Sequence, residues 1–372
     1  MLTRHSCTAK TRARRPAGLA GFVAATALVA LAACEASQAA PQRPANNEPR
    51  AAPAVTPLRA VPGKSGSDAG GSRIVQFEGA CDASGAAPLA GGRFVVADDE
   101  DNVLRVYDAE RGGSALYAVD VSPQLDLRKR KRAESDIEAA TLLGSEVYFL
   151  SSHARTKKGK ADPDRSLLFA TQLPIAGQPL KLVGTPYRRL LQDLLADPRL
   201  AAFQLAAAAE RAPKELGGLN LEGLTAAPDG SFLLGFRNPV PGGKALLLTL
   251  LNPRGVLHGE RARFAAPELL DLEGLGIRSL TYWGMKLLIA AGSATEGGPF
   301  RVYHYDRKSP PTAVTGVDWA DLTLEGFVSD ERREQILLLS DDGNRDVGGT
   351  PCKKLDNARD KRFRGIWLSL PR

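Results

Sequence analysis

The chain is poor in the side chains that hold soft metals. Among its 372 residues there are four histidines and four cysteines. That count excludes a histidine-rich metal centre, and the spacing of the few present fits no zinc site. No serine-hydrolase elbow and no phosphate-cradling glycine loop occurs. Long apolar runs are scarce as well. The run near the start, Ala17 to Ala33, is shorter than the ~20 residues a membrane-spanning helix needs. The net charge of +7 is concentrated at the start: Arg4, Lys10, Arg12, Arg14 and Arg15 stand there with no acid, leaving +2 from Cys34 onward. So nearly balanced a remainder argues against a nucleic-acid binder.

What is present is a repeat. The phrase Leu221-Glu222-Gly223-Leu224-Thr225 returns as Leu272-Glu273-Gly274-Leu275-Gly276 and as Leu324-Glu325-Gly326-Phe327-Val328. A looser copy is Ile137-Glu138-Ala139-Ala140-Thr141, and a worn one, Asp82-Ala83-Ser84-Gly85, has Ser84 in the Glu slot. Each phrase is followed by a turn, an apolar run, a polar loop and a second apolar run. The slots are 54, 84, 51 and 52 residues apart. A period of about 50 residues with several short strands in each is the pattern of a β-propeller. The expected fold is all-β, with five four-stranded blades, or six if one blade is too degenerate to show. One such sheet cannot bury both of its faces, and stacking around an axis lets neighbours bury them for each other.

The 84-residue gap holds an insertion over residues 187–212, read as a helical hairpin broken at Pro198. It carries apolar faces at Leu190, Leu191, Leu194 and Leu195 and at Leu200, Phe203 and Leu205. Placed between two blades, it is expected either to cover one end of the propeller as a lid or to pack as a decoration. The strand Ile74-Val75-Phe77 precedes the first repeat, whereas the last repeat ends on Ile366-Trp367-Leu368, one strand short. The economical solution closes the ring with residues 73–79 as the outer strand of the last blade, leaving no open edge between first and last.

Residues 1–33 read as an export signal, with a basic start and an apolar middle. Leu31-Ala32-Ala33-Cys34 resembles the lipobox of bacterial lipoproteins, which implies lipidation of Cys34. Glu35, by the same resemblance to Gram-negative lipoproteins, permits the outer membrane, and the protein is expected at its periplasmic face. Residues 34–72, rich in Ala, Pro, Gly, Asn and Ser, read as a flexible tether, and residues 73–372 as the propeller. With Cys7 removed in the signal and Cys34 lipidated, Cys81 and Cys352 remain in an oxidising compartment. They are expected to bond across the seam of the ring.

Successive strands of a blade are antiparallel, so the Glu phrases and the loops after each second strand share one face, the top. Those loops are polar: Asp98-Asp99-Glu100-Asp101-Asn102, Ser152-His153-Ala154-Arg155, Arg237-Asn238-Pro239, Ser293-Ala294-Thr295-Glu296 and Asp341-Asp342-Gly343-Asn344-Arg345. Glu138, Glu222, Glu273 and Glu325 are expected to converge near the axis, where four carboxylates cannot all stay ionised uncompensated. Three resolutions stand open: a cation such as calcium among them, neutralisation by Arg237, Arg155 or His153, or latch bonds to backbone N–H groups of neighbouring blades. His153, Arg155, Arg237 and Asn238 are the expected contacts for a ligand. Basic residues from Arg128 to Arg132 and at Lys157, Lys158 and Lys160 suit an anionic one.

The repeats resemble an uncharacterised bacterial propeller family, a domain of unknown function distantly similar to the esterase-like phytase propellers. The resemblance spans residues 74–371. It rests on Asp82-Ala83-Ser84-Gly85, Asp136-Ile137-Glu138-Ala139, the three Glu-Gly phrases and Phe236-Arg237-Asn238-Pro239. It implies the propeller fold and, through the phytase relatives, calcium-assisted phosphoester hydrolysis, although their catalytic residues do not map one by one. Two functions follow as expectations: an exported, lipid-anchored monomer that binds a ligand or partner on its top face, or a calcium-dependent phosphoesterase or esterase.

Overall fold

The computed structural model describes residues 73–370 apart from 129–132, 174–175, 177, 179, 318, 320 and 331. Cys34 and the stretches expected to be the signal and the tether lie outside the described residues. Five antiparallel sheets form the four-stranded blades of a propeller, with strands in sequence order from the axis outward in blades 1 to 4 and the chain's first strand outermost in blade 5. The innermost strands are Gly85–Leu89, Ile137–Leu143, Asn220–Ala226, Gly276–Trp283 and Leu324–Asp330, and they contact one another in cyclic order. The second strands, Arg93–Ala97, Glu146–Ser151, Phe232–Asn238, Lys286–Gly292 and Gln335–Ser340, are the apolar runs of the repeat and are almost wholly buried.

Ring closure follows the expected route. Arg73–Glu78 pairs antiparallel with Arg362–Leu368 of blade 5, with Phe77 opposite Phe363. A two-residue strand of blade 1, Gly113–Ser114, adds in parallel beyond it and covers part of that edge. Five apolar clusters fill the wedges between blades, one per interface. At the seam between blades 5 and 1, Phe77, Phe94, Tyr107 and Phe363 pack ring against ring with centroids 5.0–5.6 Å apart. Edge-to-face and offset pairs of this kind add to area burial. The seam is also stapled: Cys81 and Cys352 are disulfide-bonded, with Cα atoms 5.9 Å apart across a sequence separation of 271.

The insertion is helical but is no lid. It comprises helix Leu190–Ala196, a 3₁₀ stretch Pro198–Phe203 and a short helix Leu205–Ala208. Leu190, Leu194, Leu200 and Leu205 are buried in the cluster between blades 2 and 3, together with Leu168, Phe232 and Leu246. Asp193 accepts from Arg261 and from the backbone of Ala262 in blade 3. The apolar faces read from the sequence therefore fill a wedge instead of spanning the axis. Only the exit of the insertion, Pro213 and Lys214, reaches the top cavity. Among the described residues no helix is long and apolar enough to cross a membrane.

Candidate functional site

A shared irregularity near the start of the first strand decides which side chains face the axis. In blades 2 to 5 the pairing register between first and second strands slips by one residue. Such a bulge re-aims a side chain out of the pleat alternation. The bulged residues are Glu138, Glu222, Arg278 and Glu325, and all four line a cavity of about 430 Å³ at the top of the axis. Two residues earlier, Asp82, Asp136, Asn220 and Thr323 line it from blades 1, 2, 3 and 5. Blade 4 has Gly276 there, where a Cβ would lie 1.9 Å from the Arg237 carbonyl oxygen. Loops after second strands contribute Asp99, Lys157, Glu296, Asp341 and Asn344, as antiparallel strand order requires.

Glu273 is not in this ring. Leu272-Glu273-Gly274 is a turn before the blade 4 strand, with Glu273 at φ 58° and Gly274 at φ 82°. Its carboxylate, more than half exposed, pairs with Arg301 at 3.0 Å and accepts from Tyr303 at 3.2 Å. The strand begins later, at Gly276, and the slot passes to Arg278. The expected ring of four carboxylates is thus three carboxylates and a guanidinium.

The side of the cavity formed by blades 3 to 5 is neutralised in charge, although Glu222 Oε2 and Arg278 Nε are buried there without a hydrogen-bond partner. Arg237 donates to Glu222 Oε1 at 2.8 Å and to the carbonyls of Ser293 and Thr295 at 3.0 and 2.9 Å. Arg278 stands between Glu222, 3.5 Å away, and Glu325, with which it is in close ion contact, and lies over the Phe300 ring. Asn220 Nδ2 also donates to Glu222 Oε1. Of the three resolutions open to the carboxylates, this side uses neutralisation by arginine.

The side formed by blades 1 and 2 is different. Carboxylate oxygens of Asp82, Asp98 and Asp99 lie within 4.8 Å of one another, as do those of Asp99, Asp136 and Glu138. Asp136 has an ion pair with Arg165, but Asp82 Oδ2 and Asp99 Oδ1 are buried without a hydrogen-bond partner. Burial first, and then the charges of neighbouring acids, push Asp82 up to about 11 and Asp98 up to about 6. The same causes hold Asp99 and Glu138 well above the usual carboxylate range. The Asp82 carboxylate is pressed against Gly343, where a Cβ would lie 1.8 Å from Oδ1, so only glycine fits. The staple adjoins this wall, since Cys81 precedes Asp82 and Cys352 precedes the lining residue Lys353. At the rim Lys157 bonds Glu100 at 2.9 Å and Lys214 pairs with Glu296 at 3.3 Å.

Of the four expected ligand contacts, only Arg237 lines the cavity. His153 is buried, its Nδ1 2.7 Å from the Ser151 carbonyl, and burial lowers its pKa to about 4, which keeps it neutral. Arg155 donates to the carbonyls of Ala209 and Gly159 and pairs with Glu210, which ties the insertion to blade 2. Asn238, before a cis proline, donates to the carbonyls of Pro213 and Glu215 and holds the exit of the insertion at the rim. In the basic cluster, Arg128 pairs with Asp162 and Asp164, and residues 129–132 lie outside the described residues. Sequence reading missed Arg278 and the acid wall, although Asp82 opens the worn copy of the repeat, Asp136 precedes the blade 2 copy and Asp98-Asp99 stand in a polar top-face loop.

Residues 178–341 match a family described as a protein of unknown function, DUF3616. That match covers the last strand of blade 2, the insertion, all of blades 3 and 4 and the first two strands of blade 5, and it accords with the resemblance of the repeats to a family of unknown function. No curated protein matches the chain. Among solved structures, the glutaminyl cyclase of Myxococcus xanthus is similar at 11% identity and TM-score 0.41, over 81% of this chain and 97% of that one. The PQQ-bound aldose sugar dehydrogenase of Streptomyces coelicolor is similar at 13% identity and TM-score 0.39, over 81% of this chain and 99% of that one. Likenesses this distant carry nothing about activity.

Proposed function

We propose that the protein is an exported, lipid-anchored propeller that binds a small charged ligand in the cavity at the top of its axis. One observation carries this reading. Polar atoms buried in the cavity wall, Asp82 Oδ2, Asp99 Oδ1, Asn220 Oδ1 and Arg165 Nε, have no partner within the protein. An unpaired buried polar atom costs ~1–3 kcal/mol, a cost that a bound molecule completing the set would offset. Lys157, Lys214 and Lys353 reach the same cavity from three loops and favour an anionic group on that molecule. The lipid anchor is supported by the basic start, the apolar middle and Leu31-Ala32-Ala33-Cys34.

Thermal shift and calorimetry with inorganic phosphate, glucose 6-phosphate and gluconate test the binding. At least one probe is expected to raise the melting temperature of the wild type and to lose its effect in Lys157→Ala/Lys353→Ala. Probes that leave both proteins unmoved would overturn the anionic-ligand reading. Palmitate labelling that persists in Cys34→Ala would overturn the anchor. The second reading, a calcium-dependent phosphoesterase, is favoured by the juxtaposition of the acid wall and Lys157, since a metal-activated water needs no protein nucleophile. Hydrolysis of p-nitrophenyl phosphate that chelation abolishes and calcium restores would select it over binding alone.

A further inference from the structure

We propose that Asp82, Asp98, Asp99, Asp136 and Glu138 form a divalent-cation centre on the blade 1 and blade 2 side of the axial cavity, built for a hard ion of the calcium type. The centre deepens the binding reading above because the ion would face the same cavity. It is also testable without any organic ligand.

The geometry supplies the donors. Two triplets of carboxylate oxygens, each within 4.8 Å, share Asp99, which makes Asp99 the residue common to both halves of the cluster. Their backbones are fixed: Glu138 is the bulged residue of blade 2 and Asp136 lies two residues before it, Asp82 is held by the staple and by contact with Gly343, and Asp98 Oδ1 accepts from the Glu100 backbone at 2.9 Å. The second, independent observation is that the cluster is not satisfied from within. Asp82 is 4% exposed, and its Oδ2 has no hydrogen-bond partner, nor has Asp99 Oδ1. Acids that merely decorate a surface turn such oxygens to water, whereas these are enclosed and turned to the cavity.

Charge points the same way. Eight acids and six bases line the cavity, so with all the acids ionised, as a bound cation would hold them, the lining falls two charges short of neutral. That shortfall sits on one side, because Arg237 and Arg278 already serve Glu222 and Glu325. The donor chemistry selects the ion. All five are carboxylates, with no thiolate or imidazole among them, and oxygen-only sets suit calcium, magnesium or manganese over zinc or copper. Calcium takes 6–8 oxygens with loose geometry, whereas magnesium demands a near-ideal octahedron and keeps several waters. Five crowded carboxylates favour calcium.

The test is a calorimetric titration of chelator-stripped protein with calcium chloride alone. One site per chain is expected in the wild type. Asp99→Asn and Asp136→Asn are expected to weaken it at least tenfold. Glu222→Gln, on the neutralised side, is expected to keep both stoichiometry and affinity, and so is Glu273→Gln. Because Asp99→Asn removes a repelled charge, its metal-free form is expected to melt no lower than the wild type, which separates lost binding from lost folding. Absence of calcium heat in the wild type would overturn the centre, and so would unchanged affinity in Asp99→Asn. A loss of calcium binding in Glu222→Gln equal to that in Asp99→Asn would place the ion elsewhere. None of these results depends on whether phosphate or another anion binds, so the two readings fail separately.

Discussion

The two sides of the axial cavity meet the same electrostatic difficulty in opposite ways. Blades 3 to 5 bury Glu222 and Glu325 but also bury Arg237 and Arg278 against them. Blades 1 and 2 bury a comparable set of acids against one another, with Arg165 on Asp136 as the internal counter-ion. A propeller makes the contrast easy to see because the positions are equivalent by repeat. The slot that holds Glu138 in blade 2 holds Arg278 in blade 4, so one substitution in a repeated frame changes a wall from open to closed. A closed wall is structural. An open one is shaped to receive charge from outside.

The strongest way to break the open side is to cut its staple. Replacing both cysteines in Cys81→Ser/Cys352→Ser is expected to cost roughly 5–6 kcal/mol for a loop this long in the chain-entropy model. Chemical denaturation reads this directly. A cost below about 1 kcal/mol would show that the apolar seam closes the ring unaided.

Next in size is the closed side. Arg278→Met leaves Glu222 and Glu325 buried with only part of their compensation. Removing one partner of a buried pair costs about 3–5 kcal/mol, and Arg278 is only 4% exposed, so solvent does not soften the loss. Stability of Arg278→Met within 1 kcal/mol of wild type would mean that Arg237 suffices.

A third buried group has neither device. His153 is kept neutral by burial, with a folded pKa of about 4 against an unfolded value near 6.5. The unfolded chain therefore binds the proton first as pH falls. The stability this group contributes is full above about pH 6.5 and is lost progressively toward pH 4, by up to about 3 kcal/mol. Denaturation of the wild type and His153→Asn at pH 7.5 and pH 5 isolates it. The wild type is expected to lose more stability between the two, and parallel losses would show that His153 titrates normally.

The smallest effect is expected at the false member of the repeat. Glu273→Gln touches an exposed ion pair and is expected to change stability by less than about 0.5 kcal/mol. A larger loss would return Glu273 to the architecture.

Much of the fold was legible because it is written in apolar periodicity. Five buried second strands, the spare strand at Arg73–Glu78 and the two leftover cysteines each carried an implication that holds. The site was legible where a repeated phrase coincides with a repeated bulge, at Glu138, Glu222 and Glu325, and at Arg237, read in a polar top-face loop. In blade 4 the words Leu272-Glu273-Gly274 recur, but as a turn, and the bulge falls at Arg278, which carries no phrase of its own. Hydrogen-bond register, not local sequence, selects the residue that faces the axis. The lid expectation failed for a related reason. An apolar helical face shows that something is covered but not what, and here the wedge between blades 2 and 3 takes it. His153, Arg155 and Asn238 are polar residues on top-face loops that each bond a backbone carbonyl and do not line the cavity, an outcome that composition does not record.

The contrast between the two walls is tested most directly by anomalous diffraction from crystals soaked in terbium, a trivalent mimic of calcium. The account predicts one strong peak within coordination distance of Asp99 and of either Asp82 or Asp136, and none between Glu222 and Glu325. A peak between Glu222 and Glu325, or the absence of any peak in the cavity at saturating terbium, would contradict it.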